Sequence, residues 1–445
     1  MFVRKKRNKS GSVSVQIVDK SDGYRVVETV GSSKDQDKID FLVRKARHTI
    51  RTSGGKQNEL FSFKTPEESV VRRFLGELSN EQIRVIGPEL VFGTLFDRLG
   101  FGAIPEPLFR HNVIARLAHP VSKVKTVDYL YRYQGITVEV SGIYRFLDKL
   151  NDAYKDAVER LAFEYSRGVL GHISVVFYDM TTLYFEAEDE DDLRKVGFSK
   201  DGKFQHPQIM LGLLVGEKGY PIGYDIFEGN VFEGHTLLPT LDKISRKYGL
   251  GRPVVVADAG LLSRDNLKLL AAKGYSFILG ARIKNESDVS KGKILEQAKR
   301  IKDQQGFDLR KTDGSRLIVT YSEQRRKKDA YGRERGLVRL RQKIKSGTLS
   351  KEHINNRGYN KFLTLKGSVE ISIDEAKVKQ DSLWDGLKGY VTNTDLSVEK
   401  VVENYRQLWR IEKAFRISKT DLRIRPVYHY RRKRIEAHIC IAFVA

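Results

Sequence analysis

Two spacings of apolar residues divide the chain. Over 12–18 ("SVSVQIV") apolar and polar positions alternate, "KSDGY" supplies an Asp-Gly turn, and 24–30 ("YRVVETV") is again β-rich. Strand side chains point to opposite faces in turn, so this pattern predicts a β-hairpin. From Asp37 to about Leu161 the spacing is mostly helical. Within it, 126–150 reads as helix, tight turn at Gly135, helix. Such a pair is either a DNA-reading helix-turn-helix or an ordinary helical hairpin. From Gly171 β-branched apolar runs take over, and 173–179, 207–216, 219–229, 253–260 and 276–283 predict strands. Helices are expected over 235–249 and 263–274, the second capped by Ser263. Strands that give way to strand–helix alternation predict an α/β layer. The stretch 286–387 reads as short basic strands ("SRLIVTYSE", "KFLTLKG", "VEISI") and loops, before "GYVTNTDL" returns as a strand.

The pattern therefore predicts an α/β chain in five parts. They are a basic arm and β-hairpin (1–36), a helical region suited to binding DNA (37–165), and the first part of a core (166–285). A β-rich basic insertion (286–387) and the last strand and helix of the core (388–445) follow. The end, "HICIAFVA", is an apolar helical pattern without a cap, so truncation at the C-terminus is expected.

Charge sharpens this picture. Lys and Arg number 80 against 57 Asp and Glu, a formal +23, which points to a polyanionic partner, most simply nucleic acid. The excess is local: 321–350 holds ten cations and three acids, and 423–434 ("RIRPVYHYRRKR") holds six cations, no acid and interleaved aromatics. Such a mixture suits a surface for phosphates and bases. The basic "MFVRKKRNKSGS" start has no apolar run behind it and reads as a flexible arm, not a secretory signal. The single cysteine, Cys440, excludes an internal disulfide and a thiolate zinc site and fits a reducing compartment. No run reaches the roughly 18 apolar residues of a membrane span.

Against this basic background the acid at 412 stands out. The stretch 405–419 ("YRQLWRIEKAFRISK") carries five cations and one carboxylate, Glu412. On a helix, Leu408, Ile411, Phe415 and Leu422 form an apolar stripe, and Tyr405, Glu412 and Lys419 form a row beside it, because a seven-residue step drifts only about 20°. A carboxylate next to a buried face needs a compensating charge. Arg416, one turn on, would supply it as an intrahelical pair; a metal is the other answer. Two further acids, Asp179 ("YDMTTLYFE") and Asp258 ("VVVADAG"), close apolar strands. Strand ends and a helix crossing them could bring three carboxylates to two Mg²⁺ ions about 3.5–4 Å apart, the arrangement that hydrolyses phosphodiesters.

With "EGNVFEGHTLLP" and "VVVADAGLLSRDN", these motifs resemble the DDE transposases of bacterial insertion sequences. In particular they resemble the branch with a Y-(2)-R-(3)-E-(6)-K signature, an RNase H-like core and a β-rich insert. The resemblance spans about 170–430. Tyr405, Glu412 and Lys419 fall on the signature, whereas its Arg falls on Leu408, so that Arg406 or Arg410 is left to contact phosphate. It implies Asp179, Asp258 and Glu412 as catalytic metal ligands for two Mg²⁺ (or Mn²⁺) ions. Tyr405, Arg406, Arg410 and Lys419 would face DNA. Trp384, 21 residues before Tyr405, is the candidate to stack on a flipped base, with a core role as the plainer reading. Asn230 and Glu233 could support the site. The implied activity is cleavage at element ends and strand transfer to target DNA. The implied partners are double-stranded DNA (terminal inverted repeats and target) and a second copy in a homodimer on DNA. No membrane partner is expected, and the implied location is bacterial or archaeal cytoplasm, associated with DNA. The alternatives are an RNase H-like nuclease or resolvase, and a truncated, inactive end-binding protein.

Overall fold

The computed structural model describes residues 1–21, 23–53, 84–261, 263–366 and 370–445. The chain divides into two compact units, 1–82 and 83–445.

In the first unit β1 (Phe2–Arg7), β2 (Val13–Asp19) and β3 (Arg25–Ser33) form an antiparallel sheet in that order, covered by α1 (Gln36–Ser53). Val15, Ile17, Ile39, Val43 and Ala46 are its core. The hairpin is as expected, but the arm is not free. Its residues pair with β2 from Phe2↔Val18 to Arg7↔Val13, and Val3 packs on the core. Pairing with β2 satisfies one side of the arm's backbone, and its Arg and Lys side chains blunt the edge that stays open. The part of the expected helical region over 54–83 lies outside the described residues.

The second unit begins with α2 (Thr94–Arg98), α3 (Pro107–Ala118), α4 (Lys123–Tyr129), α5 (Val140–Lys149) and α6 (Lys155–Leu170). The turn at Gly135 is present with φ +70°, a left-handed conformation that glycine adopts without strain. Next come β4 (Val175–Tyr184), β5 (Gln208–Gly216), β6 (Pro221–Glu228), α7 (Leu237–Tyr248), β7 (Val254–Ala257), α8 (Arg264–Ala272) and β8 (Phe277–Ala281). The insertion supplies α9 (Asp288–Ala298), β9 (Gly306–Arg310), β10 (Arg316–Tyr321), α10 (Glu323–Lys345), β11 (Leu363–Lys366), β12 (Glu370–Ile373) and α11 (Glu375–Ser382). The chain ends with β13 (Leu387–Thr392), α12 (Val398–Arg406), α13 (Trp409–Thr420) and α14 (Arg432–Val444).

Eight strands form one mixed sheet in the order β6-β5-β4-β7-β8-β13-β10-β9. β4, β7 and β8 are parallel, and β5 is antiparallel to both of its neighbours. The first five positions of that order are the RNase H-like arrangement. Alternation sends residues of one strand to two cores. Phe177, Val256, Ile278 and Tyr390 face one, and Val176, Tyr178, Val255 and Leu279 face the other. Helices cover both faces, which is why these strands read as nearly continuous apolar runs.

Two features depart from the expectation. The insertion is not simply β-rich. Its strands β9 and β10 extend the main sheet, and it also carries three helices. α10 is hidden in the sequence because charges surround a narrow stripe of Leu337, Leu340 and Ile344. In addition, α14 packs on α3, α5 and α6, so the helical region and the end of the chain share one core.

Candidate active site

Asp179 and Asp258 are neighbours by register. The parallel pairing of β4 and β7 ends with Tyr178↔Ala257, and each acid is the next residue. Two positions past Phe177 and Val256, they lie on the face that those residues share. That face is covered by α12, which packs on β7 and β8, and by α13, which packs on β4.

Tyr405 ties one acid down. Its hydroxyl donates to Asp258 Oδ1 at 2.7 Å. Burial and the adjacent Asp258 carboxylate push the phenol well above its ordinary range, so it remains a donor. The ring packs edge-on to Tyr390 with centroids 4.8 Å apart, and the Lys388 ammonium lies over it at 4.3 Å. Gly280 makes the space: a Cβ there would fall 2.5 Å from Tyr405 Oη and 2.9 Å from the Ala259 nitrogen.

Asp179 is shut in more tightly. Burial pushes its carboxyl up to about 6, with Glu233 and Asp258 adding like charge against the opposing pull of Lys200 and the Met180 amide. The Lys200 ammonium stands 2.8 Å from Glu233 Oε1 and 3.8 Å from Asp179 Oδ1, and donates to the Met180 carbonyl at 2.7 Å. Glu233 is held close because its turn is fixed by Asn266, whose amide donates to Gly234 O and Leu261 O. A Cβ on Gly260 would come within 2.8 Å of Glu233 Oε2.

Glu412 is exposed and its carboxylate makes no hydrogen bond or ion pair to any described residue, so the intrahelical pair with Arg416 is absent. It lies within electrostatic reach of Tyr405 and Lys388, both of which also face Asp258. The expected continuous helix over 405–419 is broken into α12 and α13. Leu408 N bonds to Tyr405 O and Ile411 N to Leu408 O, three-residue spacings that wind the joint more tightly than an α-helix. Leu408, Ile411, Phe415 and Leu422 are buried as the apolar stripe requires.

The remaining expected residues are spread around this centre. Lys419 is half-buried and paired with Asp201 at 3.1 Å, a carboxylate that Arg425 shares at 3.1 Å. Arg406 donates to Gln304 at 2.9 Å. The Arg410 guanidinium lies 5.2 Å from the exposed Trp409 ring. Trp384 is 8% exposed and belongs to the second core; its accessible part borders a cleft of about 480 Å³ lined also by Asp258, Arg325, Lys388 and Tyr405. Asn230 is exposed at the edge of the turn. Lys200, Asp201 and Lys388 carry no signal in the sequence. The first two sit in "FSKDGKF", which reads only as a polar turn, and Lys388 occupies a strand in which any residue facing the cleft would look alike.

Among the described residues no three acidic, histidine or cysteine side chains converge closely enough to hold a metal. The donor chemistry nonetheless fits a divalent cation. The acids offer oxygen ligands only, and Asp179 gathers like charge from Asp258 and Glu233 around a lysine ammonium that occupies a cation's place.

No match is found among curated proteins. In fold the chain is similar to a piggyBac transposase from a synaptic complex with hairpin DNA, at 11% identity over 76% of this chain and 63% of that one, TM-score 0.40. It is also similar to the Mos1 transposase of a paired-end complex with the left transposon end, at 9% identity over 53% and 71% of the two chains, TM-score 0.18. The chain thus spans less than two thirds of the piggyBac protein that it matches. The family described as "Transposase DDE domain" matches residues 171–445, from the strand that carries Asp179 through Asp258 and Glu412 to the last helix. On that match, over more than half its length, the chain belongs to the DDE transposase domain family.

Proposed function

We propose that the protein is an insertion-sequence transposase that cleaves DNA at element ends and joins the freed end to target DNA. The observation that carries this reading is the pair of carboxylates on adjacent parallel strand ends, Asp179 and Asp258, covered by the helices that bear Tyr405 and the unpaired Glu412.

Asp179, Asp258 and Glu412 would hold divalent cations, Mg²⁺ or Mn²⁺, which when bound activate a water and stabilise the departing oxygen. The chain's own residues set the geometry. Tyr405 donates to one oxygen of Asp258, which leaves the other free and fixes the carboxyl plane. Lys388 balances charge between Asp258 and Glu412. Lys419 and Arg425, held ready by Asp201, exchange that carboxylate for backbone phosphates of bound DNA. Hydrolysis forms a bond from water oxygen to phosphorus and breaks the bond to O3′, giving a 3′-hydroxyl and a 5′-phosphate. That hydroxyl, losing its proton, then attacks a second phosphodiester in line, forming a new O3′–P bond and breaking that strand's own P–O3′ bond, whose oxygen leaves as a 3′-hydroxyl. A second copy on the same DNA brings the two element ends together.

The test is the purified chain with Mg²⁺ or Mn²⁺ and duplex DNA carrying the element's ends in their flanking sequence. Cleaved and then joined products are expected. Asp179→Asn should lower cleavage by at least about 100-fold, the upper range for groups that only support a metal ligand, with duplex binding retained. Undiminished cleavage by the variant would overturn the metal assignment. Cleavage without joining would favour a nuclease, and binding without either an end-binding protein.

A further inference from the structure

A second concentration of positive charge lies away from the carboxylates, where α3 and the start of α4 meet the 423–438 segment. Arg116 and Lys123 are 7% exposed, and His429 and His438 are 6% exposed. All four line a pocket of about 530 Å³ whose mouth includes the exposed Lys125, Arg423 and Tyr428, and no acidic side chain lines it.

Among the described residues the two cations find only neutral partners. Arg116 Nη1 donates to Leu422 O at 3.3 Å, and Lys123 Nζ to Asn112 Oδ1 at 3.3 Å. His438 Nε2 lies 2.9 Å from Ile424 O, which leaves Nδ1 buried without a partner. His429 makes ring contacts alone, 5.3 Å from His438 and edge-on to Tyr144 at 6.0 Å. Asp148, the carboxylate that His429 feels, is already taken by Arg434 through two hydrogen bonds of 2.8 and 2.7 Å.

Unpaired buried charge costs several kcal/mol, so such groups either shed protons or collect a counter-ion. Burial does push Lys123 and His438 well down and His429 to about 4. An arginine does not take that route at neutral pH, so the Arg116 charge remains. Polar side chains reach the pocket from three helices and a loop. That spread matches the tetrahedrally placed oxygens of a phosphate better than the two coplanar oxygens of a carboxylate. The mouth is basic and aromatic, which suits a phosphate within a chain.

We infer that this pocket, whose rim also includes Arg425, is a phosphate-binding site formed by Arg116, Lys123, His429 and His438 and lined by neither Asp179 nor Asp258. The phosphate comes either from the backbone of bound DNA, in which case the site rests on the proposed function, or from a free phosphate species.

The full chain is melted in millimolar inorganic phosphate and in chloride of equal ionic strength. Phosphate should raise the melting temperature by several degrees. Lys123→Met and Arg116→Gln should abolish most of that rise, and the remote exposed Lys345→Gln should keep it. This arm needs no DNA, so it stands whether or not the chain is a transposase. Anisotropy with a fluorescent duplex then identifies the source. If phosphate competes with DNA and Lys123→Met flattens the slope of log affinity against log salt by about 1, the ligand is a backbone phosphate. If phosphate stabilises the chain but leaves DNA binding untouched, the site takes a free phosphate. Equal melting in phosphate and chloride, or an unchanged rise in both variants, overturns the site. Should the variants fail to fold, His-labelled wild type decides: shifted His429 and His438 ring resonances on phosphate addition support the pocket, and unshifted ones refute it.

Discussion

The two basic clusters of the larger unit differ in what their cations touch. Beside Asp179, Lys200 is held by Glu233, and Lys419 and Arg425 share Asp201. Beneath α14, Arg116 and Lys123 have, among the described residues, only a carbonyl and an amide oxygen. Both clusters would look equally basic in a composition count, yet they present different problems to an incoming phosphate. In the first it must displace a carboxylate, so binding is an exchange of one charge-assisted contact for another. In the second nothing has to leave. A net charge of +23 therefore says less about DNA binding than the list of cations that lack an acid.

The contrast is broken most severely at the first cluster's anchor. Gly280→Ala would put a methyl 2.5 Å from Tyr405 Oη. It should cost about 1–3 kcal/mol in a denaturant melt, as overpacking does, and lower cleavage about tenfold, the smaller end of the 10–100-fold cost of losing a partner to a metal ligand. Tyr405→Phe should lower cleavage to a similar degree while changing stability by only about 1 kcal/mol. Equal single-turnover rates in wild type and Tyr405→Phe would mean that Asp258 needs no orienting hydroxyl.

Asp201→Asn sharpens the comparison by making the first cluster resemble the second. With Lys419 and Arg425 released, DNA binding measured by anisotropy should tighten by roughly three- to tenfold at low salt. Its salt slope should steepen by about 1 for each phosphate gained. An unchanged slope would show that these two cations do not reach DNA.

The smallest effect is in pH. Burial keeps the Asp179 carboxyl protonated up to about 6, above the ordinary carboxylate range. Between about 4 and 6 the folded chain therefore binds more protons than the unfolded chain, and raising the pH through that window weakens the fold. The loss should be on the order of 1–2 kcal/mol for a partly exposed group. Asp179→Asn cannot titrate and should remove this part of the decline in thermal melts; an identical decline in the variant would place the titration elsewhere.

Of the first cluster, Asp179 and Asp258 were legible because they close strongly apolar strands, which the structure pairs side by side; Lys200 and Asp201 beside them were not. Glu412 was legible as a lone acid among cations, and the buried stripe of Leu408, Ile411 and Phe415 followed from helical spacing. The split between α12 and α13 was not, because no glycine or proline marks it and the joint retains right-handed helical backbone angles. α10 was lost among its own charges. The pocket under α14 was illegible for a different reason: Arg116 and Lys123 lie in helices of a basic chain, and only tertiary packing buries them. His429 stands between the exposed Tyr428 and Tyr430 in a segment that reads as all surface.

The joint at Gln407 and Leu408 divides labour between two helices. Tyr405 is locked to the sheet through Asp258, while Glu412 is aimed only by how α13 seats Ile411 and Phe415 on its own side. One residue gained or lost in the joint would swing the Glu412 carboxylate by about 100° around α13 and leave Tyr405 where it is. The short spacer between these two residues is thus a fixed gear ratio, with no tolerance for a change of length.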